Sequence, residues 1–198
     1  GLMYYGLGAL TPAVFLPATA VLAAVEVLTT VVTRRDTGAP PSERERARLF
    51  VRSLRRNLRT GLPFSLLILA VSGVTAFYYV VGTPQERGDL LLLSLVGAYG
   101  VVGVLALTLR VGSYRARTSP VPAAVDALRM AGGSLTASLS YTVLWLVALA
   151  TLLFLASVVP LLAPVLVFGV AGVGEVVSFE AVAGDGAAAV TPSTGLES

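Results

Sequence analysis

The chain has 198 residues, 56% of them hydrophobic and 13% charged, where soluble domains carry about 25% charged residues, so the bilayer must be the solvent for much of this surface. It has no Cys, no His and no Lys, which excludes disulfides, thiol chemistry, His-ligated haem, Schiff-base chemistry, a Walker lysine and almost any zinc site. The net charge is +3 and all fourteen basic residues are Arg; they are confined to segments between apolar runs, so positive-inside bias accounts for them and nucleic-acid binding is not expected.

The first apolar segment, Leu2 to Thr33, exceeds the roughly 20 residues of a helical span. Its expected span is about 7–33, interrupted only by the acid Glu26. No Arg precedes Arg34, so the basic start of a secretory signal is missing and a retained membrane segment is expected. Pro12 and Pro17 predict a kink or break, with regular helix from about Pro17 onward.

Residues 34–60 follow, with nine of the fourteen Arg and three acids. Within them Ser42 to Thr60 reads as an amphipathic helix. Ser42 is the candidate N-cap, with Glu45 completing a capping box. Ala47, Phe50, Val51, Leu54 and Leu58 fall on one face at helical spacing, flanked by Arg. The expectation is a surface helix, Ala47 to Arg59, lying on the membrane with Arg52, Arg55, Arg56, Asn57 and Arg59 contacting anionic lipid headgroups or a protein partner.

The second and third spans are expected at 62–81 and 90–109. Both are uncharged, and Pro63 suits the first turn of a helix. Gly97, Gly100 and Gly103 should permit close helix approach. Pro120 and Pro122 then precede a short helical stretch with Val125 and Leu128 on one face. The fourth and fifth spans are expected at 135–159 and 161–177, joined by a hairpin punctuated by Pro160 and Pro164. Trp145 lies too deep for an interfacial belt and should pack between helices. Gly169, Gly172 and Gly174 read as packing positions. Residues 181–198 are small, polar and acidic, and read as a disordered tail. The two Arg-bearing loops each feed a short helix into a span, so a parallel internal repeat is an open reading.

The loops alternate in basic charge. Residues 34–60 carry nine Arg, 82–89 one and 110–134 four, and the last hairpin carries none. This predicts that 34–60 and 110–134 are cytoplasmic, with the start of the chain outside and its end inside. The fold class expected is therefore an all-α integral membrane protein: about five transmembrane helices in one domain, 1–180, with a cytoplasmic Arg-rich amphipathic helix. Glu26 lies eight residues from Arg34, about 12 Å of helix rise. At that depth an acid needs a partner, and Arg110 is the candidate. No arrangement of acids, nucleophiles or ligands suggests catalysis, a metal or a cofactor.

The stretch LTPAVFLPATAVLAAVEVLTTVV, followed by RLFVRSLRRNLRTGL and a span, resembles the YesL-like family of small multi-spanning membrane proteins. The residues that carry the resemblance are Pro17-Ala18-Thr19-Ala20 and Phe50, Ser53 and Arg56 with Asn57 directly after. It implies an accessory role beside carbohydrate ABC-transport components in the plasma membrane, with no catalytic residue. Separately, Asp126-Ala127-Leu128-Arg129-Met130-Ala131-Gly132 is similar to the ATPase-docking loop of ABC-transporter permeases. It departs from that pattern in Asp126 and Leu128 and in Thr142-Val143-Leu144-Trp145 downstream. A diverged permease is the alternative this implies, and a membrane enzyme a more distant one.

Overall fold

A computed structural model describes residues 16–36, 41–118, 121–159 and 165–187. Pro12, the first part of the first expected span, the Pro160–Pro164 hairpin and residues 188–198 lie outside them. The described residues form α-helices with one π-helical turn. The order is α1 (Pro17–Asp36), α2 (Glu43–Gly82), α3 (Gly88–Arg117), α4 (Ala124–Ala137), α5 (Leu139–Val158), the π turn (Val165–Val170) and α6 (Ala171–Ala187). α2, α3 and α5 are long and apolar enough to cross a bilayer. The apolar part of α1, Pro17–Val32, is shorter.

α2 departs most from expectation. It is one continuous helix of 40 residues, about 60 Å long against a hydrocarbon thickness of about 30 Å. The Arg-rich segment is thus coaxial with the apolar segment 62–81 and is not a separate helix lying across its end. Pro63 sits inside α2 and not in a first turn. Contacts to α1 on both sides of it, at Gly61 and Ser65, hold the helix together across the missing N–H. The start of α2 follows the sequence closely: Ser42 accepts from Glu45 N while the Glu45 carboxylate accepts from Ser42 N at 2.7 Å, a complete capping box. Ser42→Ala should cost about 1 kcal/mol, as N-cap removal does, read as a lower unfolding midpoint in detergent.

α2 and α3 form an antiparallel hairpin through the turn at Thr83–Arg87, where Glu86 has φ 51°. Small residues set its closeness. A Cβ at Gly97 would run into Thr75, and one at Gly100 would touch Val71 at 3.5 Å, whereas nothing lies near Gly103. Outward from this seam Leu66, Val74, Phe77, Val80, Leu92, Val96 and Tyr99 are exposed. That is the surface a lipid-facing hairpin presents, since lipid and not protein would cover it.

The core lies toward the other end of the hairpin. α1 runs antiparallel to the Arg-rich half of α2, and Val21 and Val25 meet Val102, Leu105, Ala106 and Leu109 of α3, Leu149 of α5 and Ala171 of α6. A second cluster joins Leu22 and Val111 to Ala127 and Ala131 of α4. The buried face of α4 therefore carries Ala127 and Ala131, while Val125 is exposed. Two alanines let α4 lie close on α1 and α3, which the larger Val125 would prevent. A backbone break at Ser138, φ −128° and ψ 72°, separates α4 from α5. The unbroken loop-to-span plan of α2 is not repeated there. Trp145 packs between helices, its ring 2.7 Å from a Cβ built on Gly174, and Leu28 covers Gly172. α6 continues to Ala187, so helix extends into the segment read as a disordered tail.

Candidate functional site: two carboxylates and an arginine face

The inward stripe of α2 is polar and small. Ser53, Asn57, Gly61 and Ser65 recur every fourth residue and all are buried. α1 explains why. Its first turn has backbone N–H groups with no partner of their own, and Ser65 Oγ accepts from Ala18 N at 3.1 Å and Thr19 N at 3.4 Å. Thr19 then sits on Gly61, where a Cβ would lie 2.7 Å from the Thr19 Cα. Two turns further along α1, Glu26 meets the other end of the stripe. Ser53 Oγ and Asn57 Nδ2 both donate to its Oε2, the latter at 3.0 Å, and Arg56 donates to Oε1. Asn57 also donates to Ser53 O at 3.0 Å, which fixes the amide. A leucine face in this place would have buried the Glu26 carboxylate without donors, at a cost of several kcal/mol.

The Glu26–Arg110 pair expected from sequence is not formed. Glu26 pairs with Arg56. Arg110 pairs with Glu175, Nε to Oε1 at 2.9 Å, and the two residues are 3% and 0% exposed. Ser113 Oγ adds a hydrogen bond to Glu175 Oε1 at 3.2 Å. Glu175 Oε2 is buried with no hydrogen-bond partner. Phe179, one turn further along α6, lies under both Arg110 and Arg117, with guanidinium carbons 5.4 Å and 4.5 Å from the ring centroid. It also meets Tyr114 edge-on at 4.9 Å. The register of α3 on α6 decides the exchange: Arg110 and Ser113 share the α3 face turned to α6, while Glu26 takes its hydrogen bonds from α2, with Arg115 of α3 close enough to feel its charge.

The five residues singled out as headgroup or partner contacts therefore separate. Arg56 and Asn57 turn inward to Glu26. Arg52, Arg55 and Arg59 point outward and are exposed, as are Ala47, Val51 and Leu58. The apolar face expected of this helix thus divides as well, because α1 takes the small polar stripe and leaves the Val51–Leu58 side uncovered. Ser53 carried a signal in the sequence only through the motif resemblance. Its spacing with Asn57, Gly61 and Ser65, matched against Thr19 and Glu26 two turns apart, is the pattern that identifies the clasp.

Among the described residues no group of three or more His, Cys, Asp or Glu could hold a metal ion. Comparison of the chain with family models, with curated proteins and with solved structures finds no match.

Proposed function

We propose that this chain is a non-catalytic accessory or scaffold protein of the plasma membrane, which holds an Arg-rich helical arm on the cytoplasmic side. One observation carries the reading. α2 is unbroken over 40 residues, so a span entering at about Leu62 continues outward as a rigid arm. The Glu26 clasp and the Thr19–Gly61 contact brace that arm against α1. The alternation of Arg between the loops supports a cytoplasmic position for 34–60 and 110–134. The resemblance to the YesL-like family supports a place beside carbohydrate ABC-transport components. The second reading, a diverged permease, draws on α4, a separate short helix between α3 and α5 that carries the Asp126–Gly132 stretch. A stoichiometric ATPase that co-purifies and is lost with substitutions in α4 would favour it.

Single cysteines at Glu43 and Gln85 should label from opposite sides of intact cells. Labelling from the same side would overturn the topology. A spin label at Arg52 in reconstituted bilayers should be relaxed by a water-soluble nickel chelate and not by oxygen. A label at headgroup depth would show that the helix bends onto the surface, and the arm would be rejected.

A further inference from the structure

We infer that the outward face of α2 from Arg44 to Arg59 is a docking surface for an acidic amphipathic helix of a partner protein, an inference that rests on the projecting arm proposed above. The face has two parallel parts. Ala47, Val51 and Leu58 form an apolar strip, with Val51 48% and Leu58 39% exposed. Arg44, Arg48, Arg52, Arg55 and Arg59 form a basic strip beside it. Ala47, Arg48, Val51, Arg52 and Arg55 border one another along the seam between the two strips.

The basic strip is only partly balanced from within: Glu45 lies within electrostatic reach of Arg48 alone among its members. Arg56 is held by Glu26, and Arg46 donates to the Pro41 carbonyl at 3.0 Å. None of the other five has an acid within ion-pair distance among the described residues. Arg44, Arg48 and Arg52 succeed one another at four-residue spacing, as do Arg55 and Arg59. Like charges so placed destabilise a helix by a few tenths of a kcal/mol per pair. A complementary anion would relieve this repulsion.

Three anionic occupants can be compared. Lipid headgroups extend roughly 5–7 Å beyond the hydrocarbon. Arg52, Arg48 and Arg44 lie about 15, 21 and 27 Å of helix rise beyond Leu62, and a 40° tilt, the upper end of the range of about 0–40°, still leaves the backbones of Arg48 and Arg44 about 16 and 21 Å out, too far for their side chains to reach headgroups. Arg59, Arg55 and, at the largest tilt, Arg52 remain near headgroups. A nucleic-acid backbone matches the charge but offers nothing to the apolar strip, which has no aromatic residue for a base to stack on. A second copy of this chain lies in the same bilayer with the same end inward, so its Arg face would meet this one with like charge. A helix with apolar residues at i, i+3 or i+4 and i+7 and acids along one flank satisfies both strips at once. The length from Ala47 to Leu58 asks for about 12 residues of it, near 17 Å.

The test uses the full chain in nanodiscs of neutral phosphatidylcholine. The probes are a synthetic acidic helix of that pattern, its scrambled isomer, and the same peptide with Lys for Glu. The acidic helix should bind, and the other two should bind at least about tenfold more weakly, the scale of a few exposed ion pairs plus one apolar anchor. R48E/R52E/R55E and, separately, V51E should each weaken binding by about tenfold with unchanged helix content. Equal binding of the scrambled peptide, or no effect of V51E, would reduce the face to diffuse charge and overturn the inference. Loss of peptide binding in phosphatidylglycerol nanodiscs would assign the face to lipid and overturn it too. If the Arg52 label is aqueous while the peptide fails to bind, the arm stands and only its occupant is wrong.

Discussion

Arg110→Met should destabilise the protein by about 3–5 kcal/mol, the cost of stranding one partner of a buried ion pair. Glu175 is fully buried, and its Oε2 has no hydrogen-bond partner. With Arg110 gone, the carboxylate would keep the Ser113 hydrogen bond at Oε1, the Trp145 indole and the more distant charge of Arg117, but no ion pair at contact distance. The cation–π contact of Arg110 with Phe179 would go as well, worth about 0.5–2 kcal/mol. The double substitution R110M/E175L should recover most of the loss, because it removes both charges and leaves apolar volume in an apolar core. The measurement is reversible unfolding of the full chain in detergent, single against double variant. If the double variant is as damaged as the single, the pair contributes through shape and not through charge. Glu175→Leu alone should be as harmful as Arg110→Met, since it strands the guanidinium in the same place.

Elements with local causes were legible in the sequence, and those that depend on register were not. The Ser42–Glu45 box needs four consecutive residues and forms as read. The start of α1 at Pro17 needs only a proline whose N–H would have been orphaned anyway. Gly97 and Gly100 approach α2 because Gly allows it, while Gly103, identical in sequence terms, faces open space. The partner of Glu26 was not legible, because fourteen Arg compete for it and the choice depends on how α1 slides along α2. A shift of one helical turn, about 5.4 Å, would exchange Ser53 and Asn57 for Leu49 and Ser53 in one direction, or for Asn57 and Gly61 in the other. The amphipathic pattern of Ala47, Val51, Leu54 and Leu58 misled for a related reason. α1 packs on the small polar stripe of Ser53, Asn57 and Gly61, where a close approach is possible, and so leaves Ala47, Val51 and Leu58 exposed. The coaxial extension of α2 was hidden by Pro63, which by itself argues for a helix start and is overridden by tertiary contacts at Gly61 and Ser65.

The α1–α2 clasp is the second place where one side chain should matter greatly. Glu26→Ala should cost about 2–4 kcal/mol, since hydrogen bonds to a charged group contribute about 1.5–3 kcal/mol each and a buried donor left unpaired is penalised in addition. The loss falls on Ser53 and Asn57, which are buried, more than on Arg56, whose side chain is 54% exposed. Asn57 retains its bonds to Ser53 O and Ser53 Oγ at 3.0 and 3.1 Å, which sets the upper limit of the damage. Glu26→Gln separates the two contributions. A glutamine of the same length still offers one carbonyl oxygen to Ser53 and Asn57, and forfeits mainly the half-exposed pair with Arg56, worth under about 1 kcal/mol. The expected order is therefore wild type, then E26Q close behind, then E26A well below. A pair of spin labels on α1 and on the Arg-rich half of α2 should show a broadened distance distribution for E26A and an unchanged one for E26Q. If E26Q loosens α1 as far as E26A does, the Arg56 ion pair and not the Ser53–Asn57 hydrogen bonding holds the arm, and raised salt should then loosen the wild-type arm as well.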